Sequence, residues 1–66
     1  MIDFSLKIDC SNDSLSDRRG VVNRSELAEI LLQLSYTLRG KIVLAPGEEG
    51  KLHDVNGNHV GQWILQ

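Results

Sequence analysis

The sequence predicts an α+β fold of β-α-β-β order, a two-layer domain with one amphipathic helix packed across one face of a three-stranded antiparallel sheet. Apolar and polar residues alternate at the start of the chain, leucines recur at helical spacing in the middle, and an Asn-Gly pair separates two strand-like runs near the end. A chain of 66 residues forms one small domain, residues 1–66, with room for a single core.

The first strand is predicted from "MIDFSLKID", in which Ile2, Phe4, Leu6 and Ile8 alternate with polar residues. A period of two is typical of a half-buried strand. The next segment, "CSNDSLSDRRGVV", is rich in Ser, Asp and Asn, whose side chains compete for backbone hydrogen bonds. It is expected to form a loop that can include one helical turn.

The helix is predicted from "NRSELAEILLQLSYTLRG". Its apolar stripe consists of Leu27, Leu31, Leu34 and Leu38, widened by Ile30, and we expect Leu31 and Leu34 to face the sheet.

Both helix ends carry recognisable capping residues. Asn23 is the predicted N-cap, with the Glu26 side chain returning a bond to the N–H of the cap. Arg39 suits the negative end of the helix dipole, and Gly40 is expected to close the helix in the left-handed conformation.

The C-terminal part of the chain predicts a hairpin from Lys51 onward, with a type I′ turn at Asn56-Gly57 or Gly57-Asn58. The apolar "VGQWILQ" run is expected to be the central strand, between the N-terminal strand and the first hairpin strand. "KIVLAPGEEG" is the least regular segment, and residues 41–45 are compatible with either a short extended cover or an extra strand.

Two groups of residues raise the question of a metal site. Asp54, Asn56 and Asn58 alternate like the first three ligands of an EF-hand loop, but His59 replaces the required Gly and Leu65 the required Glu, so a hairpin turn is favoured. Cys10, His53 and His59 are too few and too scattered for a structural zinc site. No metal and no cofactor are expected.

Composition and the lack of certain motifs argue against several kinds of function. Seven basic against nine acidic residues give a net charge of −2, which argues against nucleic acid as the main partner. The chain has no nucleophile motif, phosphate loop or HExxH, and a small domain has little room for a pocket, so no enzyme activity is expected. One cysteine, no leader and no long apolar run predict an intracellular, cytoplasmic protein without a membrane segment.

Five residues are candidates for partner binding: Arg18, Arg19, Arg24, Trp63 and Ile64. The arginines oppose the dipole at the helix start, which favours a binding surface, although pairing with Asp13, Asp17, Glu26 and Glu29 is the plainer interpretation.

Trp63 is expected in the core, with an exposed interaction site as the alternative. Val60 and Ile64 fall on the opposite side of the last strand from Trp63 and Leu65, which predicts an apolar patch. Either a homodimer or a host-protein contact is expected to be centred on this outer face of residues 60–65.

The segments "DFSLKIDCSND", "ELAEILLQL" and "LHDVNGNHVGQWIL" together resemble a group of small proteins encoded by bacteriophages and integrated elements. Members of this group end in a D-x-N-G-N-x-V-G-x-W hairpin, and the likeness is weakest over residues 41–50. The resemblance implies a fold and an origin but no catalytic residue.

This origin favours a module that binds and modulates a host protein, as anti-CRISPR and anti-restriction inhibitors do. One alternative is a nucleic-acid-associated accessory protein that uses the three arginines and Lys41. The other is a structural homodimer in which a second copy covers an exposed sheet edge or open sheet face.

Overall fold

The computed structural model describes residues 1–66 and contains β1 (Phe4–Ile8), α1 (Arg24–Arg39), β2 (Glu49–His53) and β3 (His59–Leu65). The strands form one antiparallel sheet in the order β1-β3-β2, with α1 packed on one face. The predicted α+β fold is therefore confirmed, including the central place of the last strand. Residues 41–45 form no strand, and they do not cover the core either, because Ile42, Val43 and Leu44 are all exposed.

The sheet register places apolar side chains on the helix-facing side. Leu6 lies opposite Trp63, and Trp63 lies opposite Gly50 on its other side. The indole of Trp63 occupies the space above Gly50, where an added Cβ would lie 2.7 Å from Cε2 of the ring. Glycine at position 50 therefore lets the largest core side chain lie flat against β2.

A β-bulge changes the alternation of side chains along β3. His53 pairs with His59, whereas Leu52 pairs with Gly61, so Val60 is an extra residue in β3. Val60 is consequently buried in the same core as Trp63. The prediction that Val60 joins Ile64 in a patch on the outer face is therefore wrong. Side chains do not alternate strictly between the two faces of a sheet across a bulge.

The apolar stripe of α1 is centred on Ile30 and Leu34, which are buried, while Leu27 and Leu38 are partly buried against the core. Leu31 is 41% exposed. The expectation that Leu31 faces the sheet is therefore wrong. Successive residues are about 100° apart around a helix, so the stripe centre at Ile30 and Leu34 leaves Leu31 on its flank.

Only one of the two hydrogen bonds of the predicted capping box is present at the start of the helix. The Asn23 side chain accepts a hydrogen bond from the Glu26 N–H at 3.1 Å. The expected return bond is absent, because the Asn23 N–H donates to the Leu15 carbonyl at 2.7 Å and the Glu26 carboxylate accepts from the Val55 N–H at 3.2 Å. Both groups of the expected return bond are therefore used in contacts with other parts of the fold, the β1–α1 loop and the β2–β3 turn.

The end of the helix also differs from the prediction. Gly40 has φ −77° and ψ −8°, which is a right-handed helical conformation, and its N–H donates to the Tyr36 carbonyl at 3.0 Å. Lys41 continues the turn by donating to the Leu38 carbonyl at 3.2 Å. The left-handed closure expected at Gly40 is therefore wrong.

Gly57 is the only residue of the β2–β3 turn with a positive φ angle. Gly57 has φ +81°, and no residue other than glycine has a positive φ. The Gly57 N–H donates to the Asp54 carbonyl at 3.0 Å, and the Asp54 N–H donates to the Asn58 carbonyl at 2.9 Å. A type I′ turn needs two positive φ angles, so that prediction is wrong; the hairpin has a three-residue loop ending in a left-handed glycine.

The loop between β1 and α1 supplies a core residue that the sequence pattern does not reveal. Leu15 is completely buried, although it lies in a segment of polar residues. Its N–H donates to the Asn12 carbonyl at 3.1 Å, so the loop makes a turn at this point. A bridge between Ser16 and Val22 closes the rest of the loop.

Candidate functional site

The predicted partner-binding residues lie in three separate places. Trp63 is 3% exposed, so its ring is a core element, as expected. Ile64 is half-buried on the outer sheet face, between Ser5 of β1 and Glu49 of β2. Neither residue forms part of an exposed apolar patch on that face.

The arginines are close in sequence but differ in what they contact. Arg18 and Arg19 lie inside the loop closed by the Ser16–Val22 bridge, and Arg24 is the first residue of α1. Arg19 forms an ion pair with Asp17 at 3.0 Å, and that pair is exposed on both sides. Arg18 and Arg24 form no ion pair.

The Asp17 carboxylate is bound mainly by backbone N–H groups of its own loop. Its carboxylate accepts hydrogen bonds from the Val21 N–H at 3.0 Å and from the Arg19 N–H at 2.8 Å. The bond from Val21, followed by that from the Arg19 side chain, lowers the pKa of the Asp17 carboxyl. The Arg19 charge thus supports the local loop conformation.

Lys41 is remote from these arginines, because it follows the opposite end of a helix of 16 residues, which is roughly 24 Å long at 1.5 Å per residue. Its ammonium group pairs with Glu48 at 3.2 Å and lies 5.9 Å from the centre of the Trp63 ring. The structure therefore does not bring Arg18, Arg19, Arg24 and Lys41 onto one surface.

Asp54 links the hairpin turn to the β1–α1 loop. One carboxylate oxygen accepts from the N–H groups of Asn56 and Asn58, at 3.0 and 2.8 Å. The other accepts from Ser14 Oγ at 2.7 Å and from the side-chain amides of Asn12 and Asn58, both at 3.2 Å. The Ser14 bond is the main cause that lowers the pKa of Asp54.

This network explains the Asp-Asn-Asn spacing noted in the sequence. The amide of Asn58 points an N–H donor at Asp54, so these groups bond to one another and to the backbone of the turn. The residues therefore have a structural role at a hairpin turn.

The potential zinc ligands are only partly brought together. His53 and His59 lie opposite each other on neighbouring strands, with ring centres 6.0 Å apart. The Cys10 thiol is directed at the Ile8 carbonyl, 3.9 Å away. No group of three or more His, Cys, Asp or Glu side chains is placed to hold one metal ion.

The main concave feature is a groove of about 380 Å³ between α1 and β2. Its helix side is formed by residues Ile30, Gln33, Leu34 and Thr37, and its strand side by residues 49–53. Trp63 lines the groove from the core, and Lys41 lies at the C-terminal end of α1. Four of its eleven lining residues are apolar, so the groove is a mostly polar cleft with a small apolar floor.

The strand beside this groove has a free backbone edge. Leu65 N–H donates to the Glu48 carbonyl at 2.9 Å, and strand hydrogen bonds alternate along an antiparallel pair. Residues 50 and 52 therefore bond to β3, while the N–H and C=O groups of Glu49, Lys51 and His53 point away from the sheet. None of the turn and loop hydrogen bonds involves these three residues. The sequence predicted an edge strand here, but it gave no sign of the groove.

In comparisons with known proteins, no family model, no curated protein and no solved structure matches the chain. No helix has the length and apolar character that crossing a membrane requires.

Proposed function

We propose that this chain is a non-enzymatic interaction module, encoded by a phage or mobile element, that binds and modulates a protein in the bacterial cytoplasm. The observation that supports this proposal is the free edge of β2 lying directly beside the groove under α1. A free strand edge next to a cleft is the arrangement through which extended peptide segments are bound by strand addition.

The partner contributes an extended segment that becomes a fourth strand along β2. Its backbone pairs with the free N–H and C=O groups of Glu49, Lys51 and His53. Since successive side chains of a strand point to opposite faces, every second partner side chain enters the groove.

The groove favours apolar side chains at those positions. Ile30, Leu34 and Leu52 line its interior together with Trp63. Gln33 and Thr37 form the helix rim; their side-chain donors already bond to Glu29 and to the Gln33 carbonyl, so their side-chain oxygens are the groups left to accept from a partner. Inhibition of a host defence enzyme, as by anti-CRISPR or anti-restriction proteins, is one way in which such binding modulates the host.

A proline substitution in the edge strand tests this proposal. Lys51→Pro removes an N–H that points to solvent and leaves the bonds between β2 and β3 in place. Lys51→Thr is the matched control, because it removes the same charge and keeps the N–H. Trp63 fluorescence and circular dichroism verify that both variants are folded.

The assay is capture from host lysate with the tagged protein, with bound proteins identified by mass spectrometry. We expect a partner that is retained by wild type and Lys51→Thr and lost with Lys51→Pro. A partner bound equally by all three proteins contradicts strand addition at β2, and the absence of any specific partner contradicts the interaction module itself.

The nucleic-acid alternative has no specific observation in its favour, because the basic residues are dispersed and the net charge is −2. Binding to duplex DNA is expected to be weak and to disappear as salt rises through the physiological range. Tight, salt-resistant binding in a titration with labelled duplex contradicts this expectation.

A further inference from the structure

The opposite edge of the sheet, β1, is also free. Asp3 and Gln66 form a hydrogen-bonded pair. The Asp3 N–H donates to the Gln66 carbonyl at 2.5 Å, and the Gln66 N–H donates to the Asp3 carbonyl at 2.9 Å. Because bonded and non-bonded pairs alternate along antiparallel strands, Ser5 and Lys7 also bond to β3. The N–H and C=O groups of Phe4 and Leu6 therefore point away from the sheet.

The residues with free backbone groups also carry exposed apolar side chains. Phe4 is 43% exposed, Leu6 is 39% exposed, and Ile2 just before the strand is 64% exposed. Phe4 stacks on Trp63 with ring centres 5.6 Å apart, so these side chains extend the core towards the uncovered edge. An edge of this kind is a template for pairing with another chain.

The flank of α1 that faces away from the groove also carries an exposed apolar residue. Gln33 and Thr37 lie on the flank of α1 that borders the groove at β2. Leu31 is two residues from Gln33, roughly 200° around the helix, and therefore lies on the opposite flank. Its side chain is 41% exposed.

We propose that β1 pairs with β1 of a second copy of this chain, antiparallel and about a two-fold axis at Ser5. In this register Phe4 lies opposite Leu6 of the second copy, so that residues with free backbone groups bond to each other. Ile2 lies opposite Ile8 of the second copy. Every apolar residue of the strand thus gains an apolar neighbour on the same face.

Charge and strand overlap together select this register. On the outer face, Asp3 lies opposite Lys7 of the second copy, and by symmetry Lys7 lies opposite Asp3. Neither residue has an ion-pair partner within its own chain. A two-fold axis at Leu6 places Asp3 opposite Asp9, which is repulsive, and an axis at Phe4 pairs no opposite charges. An axis at Ile8 pairs Lys7 with Asp9, but it lies at the last residue of β1 and leaves Phe4 and Leu6 without a strand residue opposite them.

The dimer has a six-stranded sheet in the order β2-β3-β1-β1-β3-β2. Both β2 edges remain free at its two ends, together with their grooves. Dimerisation through β1 is therefore independent of partner binding at β2, and one dimer presents two such sites to a host protein.

Charge reversal tests the register. Asp3→Lys and Lys7→Glu each convert two attractive contacts per dimer into repulsive ones, so each variant is expected to weaken association by roughly tenfold. The double variant Asp3→Lys/Lys7→Glu restores opposite charges and is expected to restore the wild-type dissociation constant. Asp13→Lys and Arg18→Glu are matched controls, because they make the same charge changes in the exposed β1–α1 loop.

Sedimentation velocity over a concentration series measures these constants, and circular dichroism verifies that each variant is folded. Amide exchange adds an independent measurement: the Phe4 and Leu6 amides gain protection as the concentration rises, whereas the Ser5 and Lys7 amides are protected throughout. A wild-type protein that stays monomeric overturns the proposal. A dimer that the single reversals leave unchanged, or that the double reversal does not restore, also overturns it.

Discussion

Truncation of Leu34 tests where the core lies. Leu34 is buried on α1 and packs with Ile30, Leu52 and Trp63, so Leu34→Ala removes apolar contacts in the centre of the domain. A buried Leu→Ala change costs about 2–5 kcal/mol. Because Leu34 also lines the groove, truncation widens an open space and does not seal an empty cavity. We therefore expect the lower part of that range, about 2–3 kcal/mol.

This loss is large for so small a protein. A domain of 66 residues has a total stability of about 3–10 kcal/mol. Leu31→Ala is the matched control on the same helix; its side chain is 41% exposed, so we expect a loss of about 1 kcal/mol.

Urea denaturation followed by Trp63 fluorescence measures the difference at a concentration where the chain is monomeric. With a slope of about 1 kcal/mol per molar urea, the midpoint falls by about 2–3 M for Leu34→Ala and by about 1 M for Leu31→Ala. Equal shifts, or a larger shift for Leu31→Ala, would refute the assignment of the buried helix face.

Two further substitutions test the close contacts and the polar network. Gly61→Ala is expected to separate β1 from β3 and lower the melting temperature, because the added Cβ overlaps the Lys7 carbonyl oxygen and lies 3.0 Å from Ile8 Cα; a melting curve like that of wild type contradicts this close approach. Asp54→Asn is expected to destabilise the protein at neutral pH by replacing an acceptor oxygen with a donor. Since folding lowers the pKa of Asp54, its contribution is complete above the ordinary value of 3.8 and declines as pH falls through the folded pKa. The stability difference between wild type and Asp54→Asn should therefore narrow in acid, and a difference that is constant with pH contradicts the role of the Asp54 charge.

The candidate groove illustrates what local patterns cannot show. Its two walls, the Gln33 and Thr37 flank of α1 and the strand β2, are far apart in sequence and meet only through packing. Leu15 is a similar case, since a single leucine in a polar loop gives no periodic signal. The Asp54 network depends on Ser14 and Asn12, which are about forty residues away.

The order of the elements can be predicted from the amino-acid sequence, because hydrophobic periodicity and turn residues act locally. The alternation of "MIDFSLKID", the leucine spacing of α1 and the Asn23 cap each specify their own segment. The apolar content of β3 also placed it correctly at the centre of the sheet.

Which apolar residues are buried depends on how the elements pack against one another. The bulge beside Leu52 brings Val60 into the core with Trp63, and the position of α1 over the sheet leaves Leu31 exposed. The same position leaves Phe4 and Leu6 uncovered at the β1 edge. Burial depends on the distance and angle between packed elements, and no segment specifies these alone.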